Sequence, residues 1–194
     1  SASGFLSSPS ALQVTSITTT GTVPLAVDCE AAAVGAIPAS LFEENPQNLR
    51  MFVVDNSIVQ GVNYPLGGFG NSAKSLRFDY WAIPNGGISS LLTEKLDFSS
   101  LQSASFDFSK AYAQYDASSA DELNIYATTD CGATWDLVWN EAGSTLSTVA
   151  PKADGRFYPN ADDWETVNVD LSAYAGESEV ILKIEGVSNF GNNL

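Results

Sequence analysis

Hydrophobic and polar residues alternate most regularly between Ala104 and Trp139. Three stretches there place hydrophobic residues at every second position, which is typical of strands with one buried face. Asp116–Asp121 is expected to be a solvated acidic loop, and Thr129–Thr134 a turn in which Gly132 adopts positive φ. The hydrophobic positions are Phe106 and Phe108, then Leu123, Ile125 and Ala127, then Trp135, Leu137 and Trp139. Three consecutive strands without an intervening helix indicate antiparallel β structure rather than α/β.

Short hydrophobic runs elsewhere predict further strands. A short helical turn is expected near Ala39–Glu44, ending before Pro46, because the residue before a proline is disfavoured in a helix. The predicted strands are Thr22–Ala33, Arg50–Val54, Ser75–Trp81, Ile88–Thr93, Trp164–Leu171 and Glu179–Glu185. The fold class is therefore all-β.

The chain divides by composition into a short arm and one large domain. Residues 1–22 are rich in Ser, Thr, Gly and Ala and carry no charge, so they are expected to form an extended arm or linker. Residues 23–194 have the length and hydrophobic content of a single domain with a sizeable core. An arm of this composition could instead add itself as a strand to the open sheet edge of a neighbour.

Charge excludes some classes of partner. The formal net charge is −15, with 23 acidic against 8 basic residues. Nucleic acids require a basic surface, so neither they nor an anionic membrane are expected partners. No apolar run approaches the ~20 residues of a membrane-spanning helix, and the first residues lack the basic region of a signal peptide. The carboxylates either keep the surface solvated or, in part, gather around Ca²⁺.

The chain contains no histidine and two cysteines, Cys29 and Cys131. This combination fits no zinc site and lacks the usual general base of a nucleophilic enzyme. The adjacent carboxylates Asp162 and Asp163 have no defined partner for glycoside hydrolysis, so an enzyme is not expected. Two alternatives stay open for the cysteines: one disulfide between them, if the protein is secreted, or two buried free thiols.

Aromatic residues supply the candidate ligand contacts. Trp81 lies one step out of phase with the hydrophobic positions of its predicted strand, so it is the best candidate for an exposed aromatic side chain. Tyr64 and Phe69 follow, because they lie in the glycine-rich loop Gly61–Lys74, which is either a surface loop or part of a binding face. The alternating tryptophans of 135–139 are interpreted as core residues rather than as a sugar-stacking platform.

Several motifs occur in an order that resembles a known family. They are VDCE at 27–30, GGFGNSAKSLRFDYW at 67–81, TDCGATW at 129–135, WETVNVDLSAYAG at 164–176 and GNNL at 191–194. Together they resemble the cleaved-adhesin / choice-of-anchor-J jelly-roll modules, which are distantly similar to MAM domains. The resemblance covers roughly residues 23–194. Cys29 stands where the family tends to have an aromatic residue.

The resemblance implies a two-sheet antiparallel β-sandwich, a jelly roll, in a secreted or cell-surface bacterial protein. Such modules are usually non-catalytic, contact glycans or proteins, often hold structural Ca²⁺, and in many cases belong to proteins that use type IX secretion. The resemblance also implies that Glu30, Asp55 and Asn56 lie on one side of the sandwich. Their oxygens and a backbone carbonyl from 67–71 could bind Ca²⁺ there. Relatives commonly continue past GNNL with another strand, so an open sheet edge is expected here.

Three functions remain open from the sequence. The first is an extracellular, calcium-stabilised adhesion module that contacts glycan or protein. The second is a carbohydrate-binding accessory module of a secreted enzyme. The third is a structural subunit that binds copies of itself by donating the N-terminal arm to an open edge, forming filaments.

Overall fold

The computed structural model describes residues 20–21, 23–44, 51–55, 58–59, 62–63, 69–70 and 72–194. Within these ranges the chain is β structure and loops with short 3₁₀ helices, Tyr80–Ala82, Ala161–Asp163 and Ser172–Tyr174. None of the helices in these ranges is long and apolar enough to cross a membrane. The described chain is therefore all-β, as the alternation of hydrophobic residues predicts.

One layer is a continuous five-stranded antiparallel sheet in the order β11-β10-β13-β7-β2. Its central pair, β10 with β13, aligns seven residues from Glu122 opposite Val187 to Thr128 opposite Ile181. This register places Leu123, Ile125 and Ala127 on one face, where all three are buried. The strands are β2 (Leu41–Glu43), β7 (Ile88–Thr93), β10 (Glu122–Thr128), β11 (Asp136–Ala142) and β13 (Ile181–Val187).

The second layer consists of two separate antiparallel pairs packed on the buried face of the first. β9 (Ser105–Lys110) pairs with β12 (Glu165–Asp170), and β3 (Met51–Val54) pairs with β6 (Ser75–Phe78). Two minor pairs complete the described strands: β1 (Thr20–Gly21) runs parallel to β8 (Lys95–Leu96), and β4 (Ile58–Val59) pairs with β5 (Val62–Asn63). The architecture is the two-layer β-sandwich that the family resemblance implies.

The core consists of two main clusters between the layers. One cluster joins β3 and β6 to the five-stranded sheet through Met51, Phe78 and Leu91, with Tyr80 and Tyr112 fully buried beside them. The other joins β12 to the five-stranded sheet, and Phe106 and Phe108 of β9 pack against it. Its buried members are Leu96, Phe98, Ala127, Val169, Leu171, Val180 and Leu182.

Three local predictions were wrong. The helical turn expected at Ala39–Glu44 is instead strand β2, because Leu41–Glu43 pairs with β7 at the sheet edge and this pairing overrides local propensity. Residues 23–33 form bends and turns rather than the strand expected for Thr22–Ala33. The strand predicted through Trp81 ends at Phe78, and a 3₁₀ helix follows.

A β-bulge changes the side to which β11 residues point. Along the β10–β11 ladder, Ile125 pairs with Trp139 but Tyr126 pairs with Leu137, so the register shifts by one residue. Trp139 lies on the inner face and packs edge-on against Phe108 at 5.3 Å, whereas Leu137 is 55% exposed. The prediction that Trp135, Leu137 and Trp139 share a buried face was wrong, because one extra residue reverses the alternation.

Candidate binding site

Trp81 is held outward by the short helix that follows β6. Tyr80 is fully buried, and its hydroxyl donates a hydrogen bond to the backbone carbonyl of Glu122. With Tyr80 anchored inside, the next residue of the 3₁₀ helix points outward, and Trp81 is 40% exposed. Its predicted exposure is confirmed, although it arises from the helical turn rather than from a strand.

Trp81 forms an aromatic-cation group with two residues from other loops. The Tyr115 ring meets the Trp81 ring edge-on at 5.8 Å. The Arg156 guanidinium lies 5.8 Å from the centre of the Trp81 ring, and its Nη1 is 3.4 Å from the Asp79 carboxylate. A cation over an indole face and a perpendicular neighbouring ring both restrict the tryptophan. We refer to Trp81, Tyr115 and Arg156 as the Trp81 patch.

The loop that carries Arg156 is tied down by two buried asparagines. The Asn192 side chain donates to the carbonyls of Lys152 and Gly155 and accepts a hydrogen bond from the amide of Phe157. The Asn193 side chain donates to the Phe157 carbonyl. The Asn192 amide thus both donates to and accepts from the backbone, whereas the Asn193 amide only donates, and these bonds offset much of the penalty for burying the two side chains. The GNNL motif therefore fixes the loop behind the Trp81 patch.

Asp121 in turn holds the segment that contains those asparagines. It is fully buried and accepts hydrogen bonds from the amides of Asn189, Gly191 and Asn192 and from the Tyr112 hydroxyl. Burial raises the pKa of this carboxyl, although the hydrogen bonds oppose that shift. The expectation of a solvated loop was wrong at Asp121, because long-range backbone donors compensate its burial.

Two further apolar side chains are exposed close to this end in the fold. Phe190 is 69% exposed, and Ile88 is 49% exposed. The Ser188 hydroxyl accepts a hydrogen bond from the Phe190 amide and donates to the carbonyls of Tyr80 and Ile83, so the loop carrying Phe190 packs on the Trp81 helix. Exposed apolar residues near an ordered aromatic group are typical of an interaction surface.

A second aromatic group lies on the outer face of the five-stranded sheet. The Lys183 ammonium lies 4.8 Å from the centre of the Tyr126 ring and 4.7 Å from that of Trp135. Both rings are half-buried under the lysine side chain. Lys183 approaches both rings more closely than Arg156 approaches the Trp81 ring, which it meets at 5.8 Å, so these faces are less available for stacking than that of Trp81.

The residues predicted to bind calcium are partly engaged in other contacts. Glu30 Oε1 accepts hydrogen bonds from the amides of Ala73 and Lys74, at 2.7 and 2.9 Å. The Lys74 ammonium binds the carbonyls of Glu30 and Ala32, at 3.0 and 2.7 Å. These contacts use one carboxylate oxygen of Glu30, and they involve none of the carbonyls of 67–71 that the predicted Ca²⁺ site would use.

No group of three acidic, histidine or cysteine residues suited to a metal occurs among the described residues. Asp55 is half-buried at the end of β3. Asn56 and most of the loop at 67–71 lie outside the described residues. The calcium site of Glu30, Asp55 and Asn56 therefore stays a prediction.

The other two predicted ligand contacts have different outcomes. Phe69 is 45% exposed and tilts against the Trp164 ring at a centroid distance of 6.2 Å. Tyr64 lies outside the described residues. Phe69 also lines the cleft between the layers, so it does not belong to the Trp81 patch.

The predicted disulfide is not present, since Cys29 and Cys131 are both free. Cys29 is half-buried beside β6, and its pKa is raised mainly by burial, against a lowering by the backbone of Leu76. Cys131 is exposed in the turn after β10, with its sulfur 3.6 Å from Glu179. The two thiols have different neighbours because the fold places them in separate parts of the sandwich.

Sequence reasoning identified Trp81 but missed Tyr115 and Arg156. Arg156 is one of 8 basic residues in the chain, and it lies in a turn cluster between predicted strands. The small number of basic residues could have drawn attention to Arg156, because an acidic chain offers few cations to an aromatic ring. Its pairing with Trp81 depends on the loop that Asn192 holds and could not be predicted from spacing.

The fold and the patch define a β-sandwich with an ordered aromatic group at one end. Among solved structures, the chain is similar to cleaved adhesin domains of Lys-gingipain from Porphyromonas gingivalis. The K1 domain is 19% identical with a TM-score of 0.47, covering 78% of this chain and 89% of that domain. The K3 domain is 17% identical with a TM-score of 0.47, covering 79% and 91%. The similarity indicated by the sequence motifs is thus found again.

A carbohydrate-binding module specific for non-crystalline cellulose is also similar, at 14% identity and a TM-score of 0.36. The similar region covers 72% of this chain and 80% of that module. No protein-family model and no curated protein matches the chain. Similarities at this level assign no function, so the proposals below are drawn from the residues of this chain.

Proposed function

We propose that this chain is a non-catalytic, extracellular binding module whose ligand is a neutral glycan, contacted through the Trp81 patch. The observation that carries the proposal is the ordered exposure of Trp81 between Tyr115 and Arg156. A tryptophan face presents a large apolar surface at low entropic cost, which suits the C–H face of a sugar ring. The guanidinium N–H groups of Arg156 can donate to sugar hydroxyls beside it.

Charge favours a neutral glycan over an anionic one. The chain carries a net charge of −15, which repels sialylated or uronic-acid polymers at moderate ionic strength. Arg156 is also partly neutralised by Asp79. A neutral polysaccharide avoids both penalties, and the expected affinity is weak, as for other small polar interfaces.

The test is binding of the purified chain to a panel of neutral and anionic oligosaccharides by titration calorimetry. Trp81→Ala is expected to lower the affinity for the best neutral glycan at least tenfold, while circular dichroism shows that the chain is still folded. Trp135→Ala is the matched control, because Trp135 packs against Lys183 on the outer face of the five-stranded sheet and shares no contact with the Trp81 patch, so binding is expected to be unchanged. Equal binding by Trp81→Ala and the wild type would contradict the proposal.

A protein partner is the second candidate, supported by the exposure of Ile88 and Phe190 near the same end. A protein interface would use this wider apolar surface, whereas a sugar would use the ring of Trp81. In a binding assay with a confirmed partner, Phe190→Ser would then weaken binding more than Trp81→Ala does. The reverse order would favour the glycan.

We also propose that the module binds a structural Ca²⁺ ion. The measurement is the melting temperature with 2 molar equivalents or more of Ca²⁺ and with a chelator. A fall in chelator that Asp55→Asn abolishes would support a site at Asp55 and Asn56. An unchanged melting temperature would contradict it, and the Lys74 contacts with Glu30 would then account for the local structure.

A further inference from the structure

A large cleft lies between the two layers of the sandwich. Its volume is about 840 Å³, whereas protein interiors contain few voids larger than a water molecule. Side chains that line it from both layers are only half-buried, although they point inward: Leu76, Phe106, Phe108 and Ile184. A surface of this kind requires an occupant, because exposed apolar area is unfavourable in water.

The cleft runs along one backbone edge of β9. Every residue of β9, from Ser105 to Lys110, borders it, including those whose side chains point away from the core. The other edge of β9 is paired with β12, and among the described residues no strand pairs with the edge on the cleft side. A small apolar ligand would fill the volume but leave these amides and carbonyls without partners, whereas a polypeptide strand would satisfy both.

The N-terminal segment begins beside this cleft. Residues 1–19 join the described chain at Thr20 in β1, whose partner strand β8 contains Leu96. Leu96 lines the cleft, and so do the residues that follow β1, from Val23 to Cys29. A strand of six residues spans roughly 20 Å, so 19 residues suffice to turn and lie along β9.

The composition of the segment matches the cleft. No charged side chain occurs before Asp28, in a chain that otherwise carries a net charge of −15. Within the segment, Leu12 and Val14 alternate with Gln13 and Thr15, which gives a strand one apolar and one polar face. Like charge disfavours insertion of this segment from a second copy, whereas a short connection gives the chain's own segment an effective concentration near the millimolar range.

We propose that residues 1–19 of the chain add a strand to the cleft-side edge of β9 in the same molecule. Leu12 and Val14 face into the cleft, and Gln13 and Thr15 face solvent. This inference concerns the middle of the sandwich and is independent of the Trp81 patch.

The test compares two double variants of the full chain, Leu12→Asp/Val14→Asp and Gln13→Asp/Thr15→Asp. Both add two negative charges to the same segment, but only the first places them in the cleft. The first is expected to lower the melting temperature by roughly 5–10 °C and to increase the fluorescence of anilinonaphthalene sulfonate several-fold. The second is expected to change the melting temperature by less than ~2 °C. Equal effects of the two pairs would overturn the proposal.

Hydrogen exchange supplies a readout specific to strand addition. The amides of β9 that do not bond β12 are expected to exchange at least tenfold faster in Leu12→Asp/Val14→Asp than in the wild type. Residues 20–194 produced alone are expected to regain the wild-type melting temperature when a synthetic peptide of residues 1–19 is added, with saturation at one equivalent. If the shortened chain does not fold, the two full-length pairs still decide the question.

Other occupants give different results. A wild-type dimer that Leu12→Asp/Val14→Asp converts to monomer would assign the strand to a second copy and overturn insertion in the same molecule. Dye binding that is equally strong in the wild type and in Leu12→Asp/Val14→Asp would show a cleft open to small apolar molecules, which also contradicts the proposal.

Discussion

At Gly186 the two layers of the sandwich are in direct contact, whereas along β9 a cleft of about 840 Å³ separates them. A methyl group on Gly186 would lie 2.7 Å from the Tyr80 hydroxyl and would overlap the Phe78 ring. The two places differ in the side chains that lie between the layers. At Gly186 the aromatic pair Phe78 and Tyr80 closes the gap, with ring centres 5.6 Å apart.

The closed end also carries long-range polar contacts between loops. Asp121, Asn192 and Asn193 join distant loops through buried hydrogen bonds at the closed end. The proposed binding surface lies on this end, because a recognition site needs a rigid support. The contrast teaches that this sandwich is closed by its own loops at one end, whereas along β9 the described residues leave a cleft between the layers.

The largest expected effect is the loss of Asp121. Asp121→Ala leaves two buried amides, one partly buried amide and the Tyr112 hydroxyl without their acceptor, so we expect the free energy of unfolding to fall by about 4 kcal/mol. Urea denaturation measures this change. Asp116→Ala is the control, because Asp116 accepts hydrogen bonds only within its own turn, from Ser118 and Ser119, and should cost about 1 kcal/mol or less. Similar losses for both variants would refute the anchoring role of Asp121.

The second prediction tests the close contact between the layers. Gly186→Ala is expected to destabilise the chain by about 2–3 kcal/mol, because the added methyl overlaps buried aromatic rings. Phe78→Leu removes part of that overlap. The double variant should therefore cost at least about 1 kcal/mol less than the sum of the single variants, as measured by urea denaturation. Strict additivity would mean that the layers are not in tight contact there.

The third prediction tests whether the cleft is filled. Leu76 lines the cleft from β6. Leu76→Ala is expected to cost about 2 kcal/mol in the wild type, but about 1 kcal/mol in the Leu12→Asp/Val14→Asp background, because contacts with the added strand are already lost there. A double-mutant cycle by chemical denaturation gives the coupling. The same cost in both backgrounds would argue for an unfilled cleft.

The smallest effect concerns two aspartates at the ends of β10. Hydrogen bonds from Thr128 and Thr134 lower the pKa of Asp130 to about 2, so its stabilising contribution is present above the ordinary pKa of ~3.9 and is lost as the pH falls towards 2. The pKa of Asp121 is raised by burial, so the sign of its effect is opposite to that of Asp130. Its contribution to the stability of the fold is present at low pH and decreases as the pH rises.

The check is the melting temperature between pH 5 and pH 2 at constant ionic strength. Asp130→Asn is expected to show a smaller loss on acidification than the wild type, because the titrating carboxyl is absent. Asp97→Asn gives a second test of the same principle, because hydrogen bonds from Ser99 also lower the pKa of Asp97, so this variant too should lose less stability on acidification than the wild type. An identical acid profile for Asp130→Asn and the wild type would contradict the assignment.

The sequence by itself determined the all-β class and the buried faces of most strands. Alternation is a local property of the backbone, because successive side chains of a strand point to opposite sides. Leu123, Ile125 and Ala127 are buried for this reason. Trp81 is exposed as predicted, but because of the 3₁₀ helix after β6 and not because of its phase in a strand. The ordered motifs also indicated the similarity to cleaved adhesin domains.

Only the tertiary structure decided the features that depend on residues far apart in the chain. The bulge in β11 exposes Leu137, and three amides about 70 positions away make burial of Asp121 possible. The grouping of Trp81 with Tyr115 and Arg156 and the separation of the two cysteines depend on loop packing. Each of these outcomes is set by partners that no local pattern identifies, since hydrogen bonding and packing across the sandwich override the local preferences.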